Sequence, residues 1–334
     1  MISVLLPVHN GASTLDHCLT SIAGQTLAQY EIVLVDDGST DSTALIATAY
    51  AKGDRRLRVL RLPHVGLVRA LNYGLSQAKA PLIARMDADD WMAPARLAAQ
   101  LEASRRWPEC TVVGSRVRAW PESALTGGMR EYLVWQNSCM SAQDMAADIF
   151  LESPLTHPST LYNRAAVMAA GGYRHGPYPE DYELWLRLHA LGHRFAKLQA
   201  SLLHWRQSGG SLSRRDPRYS RDAFDRLRAH YLCSYLRRRG VRSLVIWGAG
   251  RKTRRRAAHL LRFGFTIEAW IDIDPRKVGN VINGARVVTP SWLRARYGRS
   301  AVLVYVATHG ARQQIARYLE FIGLVRGSDF WLIG

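Results

Sequence analysis

Cysteine is scarce in this chain. Cys18, Cys110, Cys139 and Cys233 are far apart and fit no zinc, dithiol or paired disulfide spacing. That excludes a disulfide-stapled secreted scaffold and leaves buried thiols in a reducing cytosol as the expectation. Long apolar runs are missing too. None approaches the roughly 18–20 residues of a membrane helix. The N-terminus, Met1 to Val8, enters an apolar run with no basic segment or small-residue cleavage site, so no signal peptide is read. Acidic residues are few in one region only. The net charge of +18 divides into +1 over residues 1–213, +6 over 214–239 and +11 over 240–334. A near-neutral first part followed by a basic remainder suits anionic partners such as phospholipid headgroups, nucleic acid or a polyphosphate substrate. With 48% hydrophobic and 22% charged residues, the chain can build a packed core, which excludes a disordered one.

The pattern of the first part alternates. Ile2–Val8 reads as a buried parallel strand, broken by Asn10-Gly11. Leu15, Cys18, Leu19 and Ile22 then fall at helical spacing. Glu31–Val35, Leu57–Leu62 and Pro81–Met86 read as further strands. Ser39-Thr40-Asp41 offers caps for one intervening helix, and Val68 to Ala78 forms another. Strands alternating with helices predict an α/β fold with a mostly parallel, helix-covered sheet. Trp107–Trp135 is mixed, with a strand at Thr111–Gly114. Gln143–Leu151, Arg164–Ala170 and Asp181–Leu191 read as helices, and Gly171-Gly172 stops the second. Residues 214–239 form a basic amphipathic helical linker with Phe224, Leu227, Tyr231 and Tyr235 on one stripe, suited to an anionic membrane surface or to packing on its own domain. From residue 240 the pattern restarts as a smaller α/β unit. Its strands are Ser243–Trp247, Thr266–Ile271, Ala301–Ala307 and Phe330–Ile333, with a helix from Gly310 to Ile322. The expected domains are therefore 1–213, 214–239 and 240–334.

Carboxylates stand just past the strand ends. Asp36-Asp37-Gly38 closes the second strand, Asp87-Ala88-Asp89-Asp90 follows the fourth, and Glu180-Asp181 opens a helix. Strand ends form the ligand edge of an open α/β sheet. Carboxylates at i and i+2 can hold a hard divalent cation that also grips phosphate oxygens. Three carboxylates within four residues repel unless a cation or an arginine such as Arg69 or Arg85 neutralises them. Asp37 can accept the imide N–H of a uracil ring or cap the next turn. Glu180-Asp181 can cap a helix, or one of the two can deprotonate a hydroxyl.

Taken in order, these residues resemble family 2 glycosyltransferases of the GT-A fold. The resemblance runs through Pro7-Val8-His9-Asn10-Gly11, Glu31 to Asp41, Gly66 to Gly74, Ala84 to Asp90, His157-Pro158-Ser159, Gly171-Gly172-Tyr173 and Glu180 to Arg187, about the first 210 residues. It implies an inverting transfer of a sugar from a nucleotide-diphosphate donor, a UDP-sugar foremost, to an acceptor hydroxyl on a polysaccharide or lipid-linked glycan. It implies that Asp37 binds the nucleobase, with Pro7, His9 and Asn10 beside it. Arg69, Asn72, Asp87 and Ala88 would complete the donor site, Asp87 facing the ribose. Asp89 would hold Mn²⁺ or Mg²⁺, and Asp181 would be the general base with Glu180 beside it. Two departures stand out. His9 replaces a common tyrosine, and Ser208 occupies the position of the family's histidine, with His204 four residues away. His157 is expected to be structural or on the acceptor side.

The last third has half a dinucleotide fingerprint, Gly248-Ala249-Gly250, with Thr253 in place of the third glycine and Asp272 at the distance of a ribose-binding acid. Residues 271–280 resemble nucleotide-binding-like domains found beside sugar-modifying enzymes. The expectation is a Rossmann-like fold, with a cofactor-free role preferred over dinucleotide binding. A nucleic-acid-binding module is the alternative that the basic third supports. The near-neutral first part argues against it, so no nucleic-acid partner is expected. The expected location is the cytosol, with peripheral contact at the inner membrane face.

Overall fold

The computed structural model describes residues 1–296, 300–306 and 310–334. The chain divides into two compact units. The first holds residues 1–145 and 154–218, and the second holds 146–153 and 219–334.

The first unit is built on an eight-stranded sheet. Strands β1 (Ile2–Val8), β2 (Tyr30–Asp37), β3 (Leu57–Leu62) and β4 (Leu82–Arg85) alternate with helices α1 (Leu15–Ala23), α2 (Thr43–Gly53) and α3 (Leu67–Gln77). They are followed by β5 (Trp91–Met92), α4 (Arg96–Arg106), β6 (Cys110–Trp120), α5 (Gly127–Ser138) and α6 (Ala142–Asp148). Then come β7 (Leu161–Asn163), α7 (Arg164–Ala169), α8 (Glu180–Ala190), β8 (Arg194–Arg206) and α9 (Leu212–Arg215). The strand order is β3-β2-β1-β4-β7-β6-β8-β5. β1 pairs in parallel with both β2 and β4, and β7 enters antiparallel. Every residue of β1 and β2 is buried, as continuous apolar runs in a sheet covered on both faces must be. α1 buries Leu15, Cys18, Leu19 and Ile22, the face its spacing predicts. Gly74 lets α3 lie against the sheet, because a Cβ there would come within 2.3 Å of Leu5.

Three differences from the sequence reading have physical causes. α2 starts at Thr43, because Asp41 turns its Oδ1 onto the Thr43 N–H at 3.0 Å and delays the helix. β6 is 11 residues long rather than four, and the 13-residue β8 was not foreseen at all. Polar residues interrupt both runs, and their mutual parallel pairing is what makes them strands. Lys197 in β8 is buried, and its ammonium donates to the carbonyls of Gln136 and Pro154 (2.7 Å to the latter). Burial pulls its pKa down to about 8.

The second unit carries α10 (Arg221–Arg238), β9 (Ser243–Trp247), α11 (Arg251–Leu261), β10 (Thr266–Ile271), β11 (Val281–Ile282), β12 (Ala285–Val288), β13 (Ala301–Val304), α12 (Ala311–Phe321) and β14 (Phe330–Leu332). Its sheet order is β11-β12-β10-β9-β13-β14, parallel except at the β11–β12 hairpin. Ala307, expected in a strand, lies outside the described residues. α10 groups with this unit and buries Leu227 of the expected stripe together with Ala229, Leu232, Cys233 and Leu236. Phe224, Tyr231 and Tyr235 are half-buried. No helix among the described residues is long and apolar enough to cross a membrane.

Candidate active site

The sheet of the first unit reverses its winding between β1 and β4, and ligands of open α/β sheets bind in the crevice at the carboxyl ends of such strands. Pro7, His9 and Asn10 stand at the end of β1. Asp87, Ala88, Asp89 and Asp90 follow β4. Sequence neighbours of two separate strands thus converge on one crevice.

Carboxylate oxygens of Asp87, Asp89 and Asp90 lie within 4.8 Å of one another. Asp87 is ion-paired to the buried guanidinium of Arg85. Burial pulls the Arg85 pKa down, but Asp87 outweighs it and holds the charge firmly. Burial, then the charge of Asp87, pushes Asp89 up to about 6. Asp90 accepts the Arg206 N–H at 2.7 Å through Oδ1, while its buried Oδ2 has no hydrogen-bond partner among the described residues. Three crowded carboxylates with one buried oxygen orphaned form an all-oxygen donor set that fits a hard divalent cation. Beneath them, Arg96 is fully buried and donates to the Arg85 carbonyl at 2.8 Å. This brace behind the end of β4 is one that the sequence reading missed.

Asp37 is more committed than expected. Its Oδ1 accepts from Val65 N at 2.7 Å and its Oδ2 from Gly66 N at 2.9 Å, with the side chain 5% exposed. Its own carbonyl receives the Nδ1 atoms of His9 (2.8 Å) and His64 (3.1 Å), and the two imidazoles stack at 4.0 Å. A carbonyl only accepts, so both rings carry a proton on Nδ1. His64 was not anticipated, since nothing in its sequence surroundings marks it. Asn10 has φ 52° and accepts Thr40 N–H on Oδ1 at 2.8 Å, which ties β1's turn to β2's. Arg69 is exposed in the first turn of α3 and has no ion pair among the described residues.

Asn72, expected at the donor site, is engaged by the chain itself. Its amide donates to the Tyr173 carbonyl and accepts the Tyr173 N–H, both at 2.8 Å. The side chain is a strut for the Gly172-Tyr173 turn, and a Cβ on Gly172 would meet it at 2.6 Å.

Glu180 and Asp181 open α8. Burial, then Glu180, pushes Asp181 up to about 7, although the Tyr182 N–H donates to it at 2.7 Å. Glu183 in the same motif pairs with Arg187 at 2.8 Å, and Arg187 also holds the carbonyls of Ala170 and Gly172 (2.5 and 2.7 Å). That half of the motif is structural. His157 is buried with Nε2 2.8 Å from the Tyr173 hydroxyl, itself 2.9 Å from the Tyr162 hydroxyl. Burial drives the His157 pKa well down, so it stays neutral. Ser208 bonds within its own turn to Ser211. His204 stacks on Trp91 at 4.8 Å, where β5 and β8 pair.

In the second unit, Asp272 accepts from Ala249 N (2.9 Å), Asp274 N (3.0 Å) and Lys277 Nζ (3.1 Å). It is spent on its own chain. The expectation that it faces a ribose is not what its contacts serve.

The sheet order, the carboxylates at its reversal and the helix-borne acidic pair define the GT-A class of nucleotide-sugar transferase folds. The sequence profile described as Glycosyl transferase family 2 matches residues 3–170. The chain belongs to that family. It is 33% identical over 218 residues to the amylovoran biosynthesis glycosyltransferase AmsE of Erwinia amylovora, covering 64% of this chain and 79% of that one. It is 29% identical over 189 residues to the O-antigen biosynthesis glycosyltransferase WbnJ of Escherichia coli, covering 56% and 71%. S. aureus TarS 1-349, solved in complex with UDP-GlcNAc, shares the fold with a TM-score of 0.55 at 17% identity, over 78% of this chain and 71% of that one.

Proposed function

We propose that this chain transfers a sugar, with inversion, from a nucleotide-diphosphate donor to an acceptor hydroxyl in the synthesis of a surface polysaccharide or lipid-linked glycan. The observation that carries the reading is the carboxylate cluster at the β1/β4 reversal, with its buried oxygen left unpaired. The names of the relatives, amylovoran and O-antigen biosynthesis, support the acceptor class. The UDP-GlcNAc complex of TarS makes UDP the first nucleotide to test.

In this reading His9, Asn10 and Asp37 meet the nucleobase. Each Asp37 oxygen keeps one lone pair beyond its backbone bond. Asp87, fixed by Arg85, faces the ribose, and Asp89 with Asp90 would hold Mn²⁺ or Mg²⁺. Such a cation, when bound, stabilises negative charge on the departing diphosphate. Arg69 would add a cation for the phosphates. Asp181 takes the proton of the acceptor hydroxyl. The hydroxyl oxygen forms its bond to the anomeric carbon as the bond from that carbon to the diphosphate oxygen breaks, with the electron pair leaving on the diphosphate. In-line geometry on opposite faces inverts the carbon. A base near pKa 7 is matched to neutral pH. Cytosolic donor sugars and the basic remainder of the chain support a location at the inner membrane face. Since α10 packs its apolar seam within its own unit, surface charge rather than an inserted face would make that contact.

The test is thermal stability against UDP, GDP, dTDP and CDP, each with and without Mn²⁺. A ligand at 100 times its dissociation constant adds about 2.7 kcal/mol. One diphosphate should stabilise the protein in a Mn²⁺-dependent manner. No shift with any of the four would refute the reading.

A further inference from the structure

Beside the acidic cluster stands a set of aromatic side chains that the transfer chemistry above does not use. Trp120, the last residue of β6, is 44% exposed. It is rigidly mounted. It registers with Arg206 of β8, and its carbonyl accepts the Gln207 N–H at 2.6 Å. The edge of Trp91 packs on it at 5.2 Å and 74°. Trp91 is in turn fixed by His204 stacked on it at 8° and by His17 edge-on at 4.9 Å. The Arg206 guanidinium lies 5.7 Å from the Trp120 ring centroid. An indole held this firmly yet left in water forgoes part of the burial that a tryptophan usually gains. Its preorganisation means a ligand pays little ordering entropy there.

A pyranose ring matches this surface. One of its faces is a patch of C–H groups, which packs on an aromatic ring. Its rim of hydroxyls accepts from guanidinium and indole N–H donors. We propose that Trp120, with Arg206 and the edge of Trp91, forms a saccharide subsite that takes a pyranose ring of the acceptor. The proposal rests on the transfer reading. The acceptor, rather than the donor sugar, is assigned by order in space. The backbone N–H of Arg206 donates to Asp90 and its guanidinium lies by the Trp120 ring, so Arg206 links the carboxylates to Trp120. The donor sugar, bonded to the phosphate, belongs on the carboxylate side of that guanidinium.

The probe is a panel of methyl α- and β-pyranosides of glucose, galactose, mannose, N-acetylglucosamine, rhamnose and glucuronic acid. Saturation-transfer NMR is run on the full chain with UDP and Mn²⁺. At least one pyranoside should receive saturation on its ring C–H protons. Trp120→Ala should weaken that binding roughly 2- to 13-fold, the worth of one aromatic stack, and Trp120→Phe should restore part of it. The UDP–Mn²⁺ melting shift should be the same in all three proteins, which also reports that they fold. No pyranoside bound by the wild type, or equal binding by Trp120→Ala, overturns the subsite. A Trp120→Ala protein that loses affinity for a UDP-sugar but not for UDP gives the ring to the donor and overturns the acceptor assignment. No Mn²⁺-dependent melting shift of the wild type with UDP, GDP, dTDP or CDP would instead refute the transfer reading, so the two failures are distinguishable.

Discussion

The two units share a plan and differ in what they do with it. Each has a mostly parallel sheet that reverses beside its first strand, with acidic residues at strand ends. In the first unit the carboxylates after β4 crowd together and keep a buried oxygen without a partner. In the second, Asp272 is engaged by two backbone N–H groups and a lysine. The lesson is that a strand-end carboxylate is poised for a cation where like charges crowd it and the chain leaves an oxygen unpaired. Where its own turn consumes it, the same residue is a staple.

The sharpest way to break this comparison is to remove Asp89. Asp89→Ala should abolish release of nucleoside diphosphate from the donor and the Mn²⁺-dependent melting shift of about 2.7 kcal/mol at saturating ligand. A retained shift would make the cluster a bystander. Next in size, Asp181→Asn should slow turnover by about 10²–10⁴-fold while leaving the UDP–Mn²⁺ shift intact. Equal loss of nucleotide affinity in both variants would merge the two roles assigned here. The base should also show in the pH profile. Because Asp181 must be deprotonated to act, kcat/KM should fall about tenfold for each unit below about pH 7 and level off above it. A flat profile between pH 5 and 8 would remove Asp181 from the chemistry.

Smaller effects test the staples. Asp272→Ala should destabilise the second unit by about 1–3 kcal/mol, the cost of leaving buried donors unpaired, with donor binding unchanged. Burial pushes Asp272 up, but the amides of Asp274 and Ala249 and the Lys277 ammonium outweigh it and hold it below the ordinary range. A depressed carboxylate contributes stability above its unfolded pKa and loses it as pH falls through the folded value. The variant's deficit should therefore shrink in acid, as chemical denaturation at several pH values would reveal. Asn72→Ala should cost about 1–2 kcal/mol from its two bonds to Tyr173. A change in nucleotide affinity larger than the change in stability would return Asn72 to the donor site.

Much of the first unit was legible. β1, β2 and β4 are short apolar runs ended by Asn-Gly, Asp-Gly or acidic residues, β3 stops at Pro63, and the α1 face follows from spacing alone. The β11–β12 hairpin also had a signal that went unread: Asn283-Gly284, both at positive φ, between Val281-Ile282 and Ala285. β8 had none, since Lys197 and Arg206 read as surface residues and become strand residues only through β6. Likewise the motif Glu180 to Arg187 announced a carboxylate site but not its division of labour, because Glu183 and Arg187 face the Gly171-Gly172 turn, which lies a dozen residues earlier in the chain.

The sequence by itself determined which carboxylates exist, where strands end and hence which edge of the sheet bears the chemistry, because apolar period and turn residues act locally. The tertiary structure alone decided which of those carboxylates stay unsatisfied. Asp37, Asn72 and Asp272 are engaged by backbone groups brought near by folding, whereas Asp90 is buried and Asp89 and Asp181 half-buried beside like charges. Hydrogen-bond satisfaction and desolvation depend on distant segments meeting, and no local pattern encodes them.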